Sequence, residues 1–486
     1  MSITKKFLSV LTATLCAATA SVCSLSVFAE DVSSEMTSGD LSYVQVDEDE
    51  DGYFDFIRVT DCSSTAESVL IPKTIDSLAV QEIAADAFDD STALTSINVD
   101  PQNGYFSVDD GILFDKSAST LVCYPSAKAA TSYSIPKSVS VIADNAFANC
   151  TKMATITIPD SVVSIGKEAF YNCSALAEIS IPKSVEYIGA NAFSGTELLN
   201  FQIKNNMGPL YYADSWVIFC DSSVETVMDA STPIKTGTTG IAGGAFYGCT
   251  KLTKIEIPSG VYYIGDAAFA SCTNLSSVSI PTTAKTIGSY GFASCSALVE
   301  LSIPNSVTTI GANAFNWCTK LAEINIPSGV TKIAESTFEN CSSLLEINIP
   351  TNVEEIEKLA FYNCEKLAKV TINNKNCLIK DNSQTISNAD KTFTGTIYGY
   401  EGSTAQTYAK KYNILFESLG GAGENPAGMS GDANGDGEVT VRDCAAIAKA
   451  LAKGAASDLP ISADFNGDGE VSVRDAAAIA KHLAGK

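Results

Sequence analysis

The chain has 486 residues, which is long enough for several domains. It carries 56 acidic and 31 basic residues, and the resulting net charge of −25 argues against binding to nucleic acid or to anionic membrane surfaces. Its single histidine, His482, lies near the C-terminus, so Ser-His-Asp and Cys-His catalytic sites and His-based zinc sites are excluded from the rest of the chain.

Residues 1–29 have the pattern of a secretory signal peptide. Lys5 and Lys6 precede an apolar run, and a small-residue cleavage site ends at Ala29. We therefore expect cleavage after Ala29 and a secreted, extracellular protein. No later stretch reaches the ~18 continuous apolar residues that a transmembrane helix needs.

Residues 30–67 are predicted to form an N-terminal strand cap. The sequence YVQVDEDEDGYFDFIRVTDC indicates two strands around an acidic turn. This turn begins like a calcium loop, with acids at alternate positions and then a glycine: Asp47, Asp49, Asp51 and Gly52. Arg58, however, stands where the last ligand would be. Two interpretations stay open, a bound cation and a solvated acidic turn, of which the second is the default.

Between residues 68 and 372 the chain repeats every 23 residues, with the unit L-x-x-I-x-I-P-x-x-V-x-x-I-G-x-x-A-F-x-x-C-x-x. Such a period is typical of a solenoid, in which stacked units bury a common core. The segment before proline predicts a short strand, V-x-x-I-G a second extended piece, and A-F-x-x-C a helical or 3₁₀ turn. The phenylalanine column predicts ten repeats, at Phe88, Phe147, Phe170, Phe193, Phe246, Phe269, Phe292, Phe315, Phe338 and Phe361.

The repeat resembles the leucine-rich repeat of the BspA type, also called the treponemal type. This resemblance implies a leucine-rich-repeat solenoid of short parallel strands and helical or 3₁₀ turns over residues 68–416. Its C-terminal cap would be the strand, short helix and strand of residues 392–416. Two stretches, 99–133 and 200–236, break the period and alternate like hairpins. A repeat scaffold does not by itself fix an activity.

Eight cysteines occupy one column of the repeat. Secretion usually favours disulfides, but equivalent side chains in a stacked solenoid run parallel and do not point at each other. We therefore favour buried free thiols acting as small apolar side chains, with disulfides between repeats as the alternative. Cys62, Cys123, Cys220 and Cys377 are among the cysteines outside the column, and the sequence does not pair them.

After a glycine-rich linker at 417–430, residues 431–486 contain one unit written twice, 32 residues apart. Each copy begins with the 12-residue loop D-x-N-x-D-G-x-x-x-x-x-D. Oxygens at loop positions 1, 3, 5, 7, 9 and 12 suit calcium, and the glycine allows the sharp turn. The predicted metal ligands are Asp432, Asn434, Asp436, Glu438, Thr440, Asp443, Asp464, Asn466, Asp468, Glu470, Ser472 and Asp475. The two Glu would contribute backbone carbonyls, and Thr440 and Ser472 would act through water.

An amphipathic helix is predicted after each loop, over Cys444–Lys453 and Ala476–Ala484. The alternative interpretation, an acidic turn that binds nothing, is disfavoured because the loop occurs in two matched copies.

The doubled loop, with Asp at position 12 and one helix after each loop, resembles a type I dockerin. The resemblance implies a small all-α module that holds two Ca²⁺ ions and binds a cohesin module of a scaffoldin, as in cellulosomes. Family dockerins contact cohesin through loop positions 10 and 11 and the helix. In this chain those residues are Val441, Arg442, Lys449, Val473, Arg474 and Lys481.

Arginine placement supports a partner-facing role for these positions. The chain has only three arginines, and Arg442 and Arg474 share loop position 11. Arginine suits planar contacts at interfaces, although a solvated charge is the simpler alternative. The near identity of the copies suggests that either one presents the same face after a half-turn.

These features predict a secreted, non-catalytic protein attached to a cellulosome scaffold, whose solenoid recognises an unknown protein or glycan. The alternative is a cellulosomal hydrolase acting in polysaccharide catabolism, because paired carboxylates suffice for glycoside hydrolysis. Glu300, Glu323 and Glu346 form such a column, but a solvated row of like charges lacks the desolvation that raises an acid's pKa. A third interpretation is a structural or inhibitory component of the complex.

Overall fold

The computed structural model describes residues 31–49, 51–205, 207–221, 234–389 and 392–419, together with 433, 439–452, 459, 463, 465 and 471–484. The predicted signal peptide, and the predicted linker from residue 420 onward, lie outside these ranges. The chain divides into two compact units, Met1–Asn205 and Asn206–Lys486. None of the helices in the described part of the chain has the length and apolar character that crossing a membrane would require.

The first unit begins with strands that precede the regular repeats. These strands are β1 (Asp31–Val32), β2 (Met36–Ser38), β3 (Leu41–Asp47), β4 (Phe56–Cys62), β5 (Ser68–Ile71), β6 (Thr74–Ile75), β7 (Leu78–Ile83) and β8 (Ser96–Val99). The antiparallel pairing of β3 with β4 confirms the two strands predicted around the acidic turn. One sheet has the order β1-β3-β4-β7-β6 with β2 beside β3, and β5 pairs with β8 separately.

An antiparallel insert then joins the repeat ladder of the first unit. The elements are β9 (Phe106–Asp109), β10 (Ile112–Asp115), β11 (Thr120–Cys123), β12 (Ser132–Ser134), β13 (Val141–Ile142), β14 (Thr155–Thr157), β15 (Ser164–Ile165), β16 (Tyr187–Ile188) and α1 (Glu197–Lys204). β10 is antiparallel to β9 and β11, which confirms the hairpin predicted in 99–133, and β11 runs parallel to β13. Helix α1 was not predicted. Its N-cap is Thr196, which stands at the cysteine position of its repeat and accepts a hydrogen bond from the Leu199 amide at 3.3 Å.

The second unit begins with another hairpin and continues through regular repeats to a cap. Its strands are β17 (Leu210–Ala213), β18 (Trp216–Cys220), β19 (Gly240–Ile241), β20 (Lys254–Glu256), β21 (Tyr263–Ile264), β22 (Ser277–Ser279), β23 (Thr286–Ile287), β24 (Glu300–Leu301), β25 (Thr309–Ile310), β26 (Glu323–Ile324), β27 (Lys332–Ile333), β28 (Glu346–Ile349), β29 (Glu355–Ile356), β30 (Lys369–Ile372), β31 (Leu378–Ile379), β32 (Thr396–Gly399) and β33 (Leu415–Ser418). Its helices are α2 (Thr404–Lys411), α3 (Val441–Ala452) and α4 (Val473–Ala484). The β17–β18 hairpin and the β32-α2-β33 cap were both predicted and are confirmed.

Neighbouring repeats pair in register through two parallel ladders. One ladder joins the strands before proline, as in β20 with β22, and the other joins the isoleucines of V-x-x-I-G, as in β21, β23 and β25. The glycine after that isoleucine allows the repeats to approach closely. A Cβ added at Gly288 would lie 2.6 Å from the backbone nitrogen of Asp266 and 2.7 Å from the carbonyl carbon of Gly265, both in the preceding repeat.

The A-F-x-x-C segment turns the chain back without forming a continuous helix. It contains bonds of the 3₁₀ type, such as Cys295 N–H to the Phe292 carbonyl at 3.2 Å. Amides between these bonds donate to the next repeat, as Phe292 does to the Ala314 carbonyl at 2.8 Å. A left-handed residue before the cysteine, here Ser294 with φ +59°, interrupts any helix.

Stacked rings and thiols fill the repeat core. In the second unit, consecutive phenylalanine rings from Phe246 to Phe361 lie 4.8 to 5.8 Å apart. In the first unit, Tyr124 of the insert stacks on Phe147 at 5.2 Å, while Phe88 is only partly buried. The ring that stacks on Phe147 therefore comes from Tyr124 of the insert, and not from Phe88, which precedes Phe147 in the phenylalanine column.

The column cysteines are free thiols. Seven of them donate to a backbone carbonyl of the preceding repeat or insert, whereas the Cys249 thiol donates to the sulfur of Cys220 at 2.9 Å. Cys318 is typical: its thiol donates to the Phe292 carbonyl at 3.1 Å, and the same contact recurs along the column. Burial raises the pKa of Cys318 to about 12, so the thiol stays protonated. This geometry agrees with the interpretation as buried free thiols.

Candidate calcium and docking site

The two copies of the loop-helix unit meet at the C-terminus through their helices. Ile447 of α3 and Ile479 of α4, which hold equivalent places in the two copies, are both fully buried in one small apolar core. The Cys444 thiol donates to the carbonyl of Ala476 at 3.3 Å, and these two residues are also equivalent. Contacts between equivalent residues are those expected when two copies pack about a two-fold axis.

Each helix begins three residues before its predicted start, at Val441 and at Val473. A capping box closes the first turn of each helix. In the first copy, the Thr440 amide donates to Oδ2 of Asp443 at 2.8 Å, and Oγ1 of Thr440 accepts from the Arg442 amide at 3.2 Å. In the second copy, the Ser472 amide donates to Oδ2 of Asp475 at 2.8 Å. The predicted starts at Cys444 and Ala476 were therefore wrong, because the side chains assigned to loop positions 9 and 12 also cap the helix.

The carboxylates at loop position 12 are completely buried. Asp443 and Asp475 each have 0% of their surface exposed. Oδ1 of Asp443 also accepts from the Ala433 amide at 3.0 Å, which fastens the beginning of the loop to its end. Both acids lie in the first turn of a helix, where the helix dipole favours a negative charge.

The face of the helices away from this core carries the residues predicted to contact a partner. Arg442 and Lys449 are exposed and seven residues apart, so they lie on one face about 10 Å apart along the axis. Buried Ile447 lies on the opposite side. In the second copy, Lys481 is exposed and Val473 is 70% exposed. The side chains of Val441 and Arg474 lie outside the described residues.

Two family models match the chain. The model of the BspA type leucine rich repeat region matches in six copies over residues 122–233 and 239–368, and the dockerin type I domain matches residues 430–484. The chain is a BspA-type leucine-rich-repeat protein with a type I dockerin domain. None of the curated proteins compared with it matches.

Solved structures of bacterial repeat proteins are similar to the chain. A leucine-rich repeat protein from Eubacterium ventriosum is 25% identical over 55% of this chain and 64% of that one, with a TM-score of 0.28. The chain therefore spans less than two thirds of that protein. The pneumococcal vaccine antigen PcpA is 18% identical over 80% of this chain and 99% of its own, with a TM-score of 0.31. A leucine rich cell surface protein from Faecalibacterium prausnitzii is 23% identical over 78% of this chain and 98% of its own, with a TM-score of 0.25.

The described part of the dockerin fits a calcium ion. Type I dockerin domains bind calcium. Thr440, Asp443, Ser472 and Asp475 are the four predicted ligands that the structure describes, and the other eight lie outside the described residues. A buried carboxylate needs compensation for its lost hydration, and an all-oxygen donor set is the one that calcium prefers. A cation held in each loop would supply that compensation to Asp443 and Asp475, in addition to the amides that already donate to them.

A cavity in the first unit is a feature that the sequence did not predict. It has a volume of about 360 Å³ and is lined by Asp89, Cys123, Tyr124 and Asn145 among others. The Tyr124 hydroxyl and Oδ1 of Asn145 are buried and have no hydrogen-bond partner among the described residues. Burial, reinforced by the negative charge of Asp86 and Glu168, raises the pKa of Asp89 to about 7. Burial also raises the pKa of Cys123, so this thiol is not a nucleophile at neutral pH.

The glutamate column of the repeats is a solvated surface. Glu300 and Glu323 are opposite one another in register and both are exposed. Glu346 forms an ion pair with Lys369 at 3.7 Å, and its side chain is 67% exposed. Exposed carboxylates of this kind do not provide the unequal environments that separate a general acid from a base.

Proposed function

We propose that this protein is a secreted, non-catalytic binding protein whose dockerin attaches it to a cohesin module of a cellulosome scaffold in a calcium-dependent manner. The buried pair Asp443 and Asp475, one per copy, is the observation that carries the proposal. Each acid is both a proposed metal ligand and a cap of the helix that follows. The outer face of that helix carries exposed basic side chains. Calcium would therefore set the helix geometry on which docking depends.

The proposed calcium ligands are the twelve loop residues given above, one ion per loop. The proposed cohesin contacts are Val441, Arg442, Lys449, Val473, Arg474 and Lys481. Exposed Arg442 and Lys449 share a face, and exposed Lys481 and Val473 mark the matching face of the second copy. Because equivalent residues meet at the helix interface, a half-turn exchanges the two faces, and either one is able to bind.

The solenoid is proposed to recognise a protein or glycan. Repeat surfaces present many equivalent side chains on an extended face, which favours binding over chemistry. The glutamate column supports this because its three members are exposed and Glu346 pairs with Lys369. Turnover of plant-wall polysaccharide by the full chain would overturn the non-catalytic part of the proposal and favour a cellulosomal hydrolase.

Cohesin binding is tested with the full chain and an immobilised type I cohesin, with calcium and with chelator. We expect binding only with calcium, and its loss in the Asp443→Asn, Asp475→Asn double variant. The Arg442→Ala, Arg474→Ala double variant should lose about 30-fold or more in affinity, as for interface hot spots. Lys320→Ala, an exposed cation of the repeats, is the control and should bind like the wild type.

The single variant Arg442→Ala separates one binding mode from two. If either face docks, this variant keeps its affinity within about twofold, since the second copy remains intact. Full loss in the single variant would overturn the two-face proposal but not the docking itself. Calcium-independent binding, or unchanged binding by the aspartate double variant, would overturn the docking mechanism.

A further inference from the structure

The turn between β3 and β4 brings three carboxylates together. Asp47 is the last residue of β3, Asp55 immediately precedes β4, and Asp49 lies in the turn between them. One oxygen from each of these side chains lies within 4.8 Å of the other two. Oxygens at such separations are able to share one calcium ion, whose bonds to oxygen are about 2.3–2.6 Å long.

One carboxylate oxygen of Asp47 is buried without a hydrogen-bond donor among the described residues. Its side chain is buried, with 2% of the residue exposed. Oδ2 accepts from the Gly52 amide at 2.8 Å, but Oδ1 has no hydrogen-bond partner among the described residues. A buried ionised oxygen without a donor is costly and rare in folded proteins. A cation held by the same carboxylate removes that cost.

The backbone of the turn is organised around the acids. The Glu48 amide donates to Oδ2 of Asp55 at 2.9 Å, which closes the loop across its ends. The Tyr53 amide donates to Oδ1 of Asp51 at 2.8 Å, and Gly52 has φ +88° at the sharp bend. The acids at 47, 49, 51 and 55 stand at loop positions 1, 3, 5 and 9, and the carbonyl of Tyr53 is at position 7.

Arg58 is removed from the loop by a partner on the next strand. It stands at loop position 12, where its charge would oppose a cation. Its Nη2 pairs with Oε2 of Glu82 at 2.6 Å, and Glu82 lies on β7, its neighbour in the sheet. None of the ion pairs found among the described residues involves Asp47, Asp49 or Asp55.

We propose that this turn is a third calcium site, in addition to those of the dockerin. The ion is ligated by the carboxylates of Asp47, Asp49 and Asp55, with Asp51 and the Tyr53 carbonyl completing the loop. Calcium fits better than magnesium, which requires near-ideal octahedral geometry and shorter bonds. Because position 12 offers no bidentate carboxylate, the affinity belongs to the weak extracellular class, with a Kd of about 10⁻⁴–10⁻³ M.

Terbium luminescence tests the site in the full chain. Terbium replaces calcium in oxygen-lined sites and emits when a neighbouring tyrosine is excited. Tyr53 stands at loop position 7, whereas residues 431–486 contain neither Tyr nor Trp. The emission therefore reports on the proposed site and not on the dockerin loops. We expect saturable emission from the wild type, displaced by calcium, and a strong loss of emission in Tyr53→Phe.

Substitution of the ligands decides the proposal. Asp47→Asn should weaken terbium binding about tenfold or more, which is the usual effect of disturbing a metal site. In chelator, the same variant should melt at or above the wild-type temperature, since burying an uncharged amide costs less than burying a carboxylate. Asp55→Asn, an exposed change that leaves the core intact, should also weaken binding. Asp61→Asn, an exposed acid on β4, is the control and should bind normally. Absence of wild-type emission, or unchanged binding in both ligand variants, would overturn the site.

Discussion

Replacing Trp317 by asparagine should leave the protein at least as stable as the wild type. Trp317 is 49% exposed and has φ +60°, in the left-handed region that large side chains avoid. It stands in the column before the cysteine. From the Phe147 repeat onward, the other residues of this column are Asn149, Asn172, Gly195, Gly248, Ser271, Ser294, Asn340 and Asn363, all with φ between +56° and +77°. The left-handed conformation costs an ordinary residue roughly 1–2 kcal/mol, and asparagine tolerates it best after glycine.

A second gain comes from the neighbouring repeats. Nδ2 of Asn172 donates to Oδ1 of Asn149 at 2.8 Å, and Asn363 donates to Asn340 in the same way at 2.8 Å. Nδ2 of Asn340 now donates to Asn316 at 3.5 Å and to Glu339 at 3.3 Å. An asparagine at position 317 would accept the shorter, equivalent bond from Asn340 instead, a gain of about 1 kcal/mol. The loss is the buried half of the indole, about 1.5–2 kcal/mol at 25 cal/mol per Å² for about 60–80 Å² of apolar surface. The net change in the free energy of unfolding is therefore about 0–1.5 kcal/mol in favour of the variant.

The matched control is Trp317→Ala, measured with Trp317→Asn by urea unfolding followed by far-UV circular dichroism. Both variants lose the indole, so their difference isolates the backbone conformation and the amide bond. We expect the alanine variant to be about 2–3 kcal/mol less stable than the asparagine variant. Equal stability of the two would refute the reasoning.

Three further changes test other parts of the fold. Since burial raises the pKa of Asp89 to about 7, the folded state holds its proton more tightly than the unfolded chain, and stability should fall as pH rises from about 4 to 7. In Asp89→Asn the fall in stability should be smaller by about 1–2 kcal/mol, a figure reduced for the partial exposure of the side chain. Melting temperatures of the variant and the wild type at pH 5 and pH 8 measure the difference. Gly288→Ala should lower the free energy of unfolding by about 3 kcal/mol or more, because its Cβ meets the backbone of the preceding repeat. The control Gly248→Ala should lower it by only about 1 kcal/mol in the same urea assay, because its Cβ has no atom within 4 Å and only the φ of +67° opposes the change. The sulfurs of Cys220 and Cys249 lie 2.9 Å apart, so an added thiol oxidant should link them in a disulfide. Peptide mass mapping without reduction detects the link. If the two cysteines stay unlinked after unfolding and refolding in oxidant, the prediction is wrong.

The dockerin could be predicted in detail because its chemistry is local. Twelve consecutive residues supply the ligand spacing of each loop, and the duplication is visible in the sequence. The error at the helix starts was also local. Thr440-x-x-Asp443 is a capping box as well as a pair of ligand positions, and the capping role places the helix start three residues earlier than predicted.

The sequence by itself determined the 23-residue period, the two ladders and the buried columns, because every repeat must bury the same apolar face against its neighbours. Only the tertiary structure decided which residues from distant segments of the chain become neighbours across paired strands. Tyr124 takes the place of a core phenylalanine, and a cavity forms beside Asp89, because β11 of the insert pairs with β13. Likewise, the sequence places the positive charge of Arg58 at the last ligand position of the acidic turn, and in the folded protein Glu82 on β7 pairs with that charge. Charge balance depends on neighbours in space, which residue spacing along one strand does not specify.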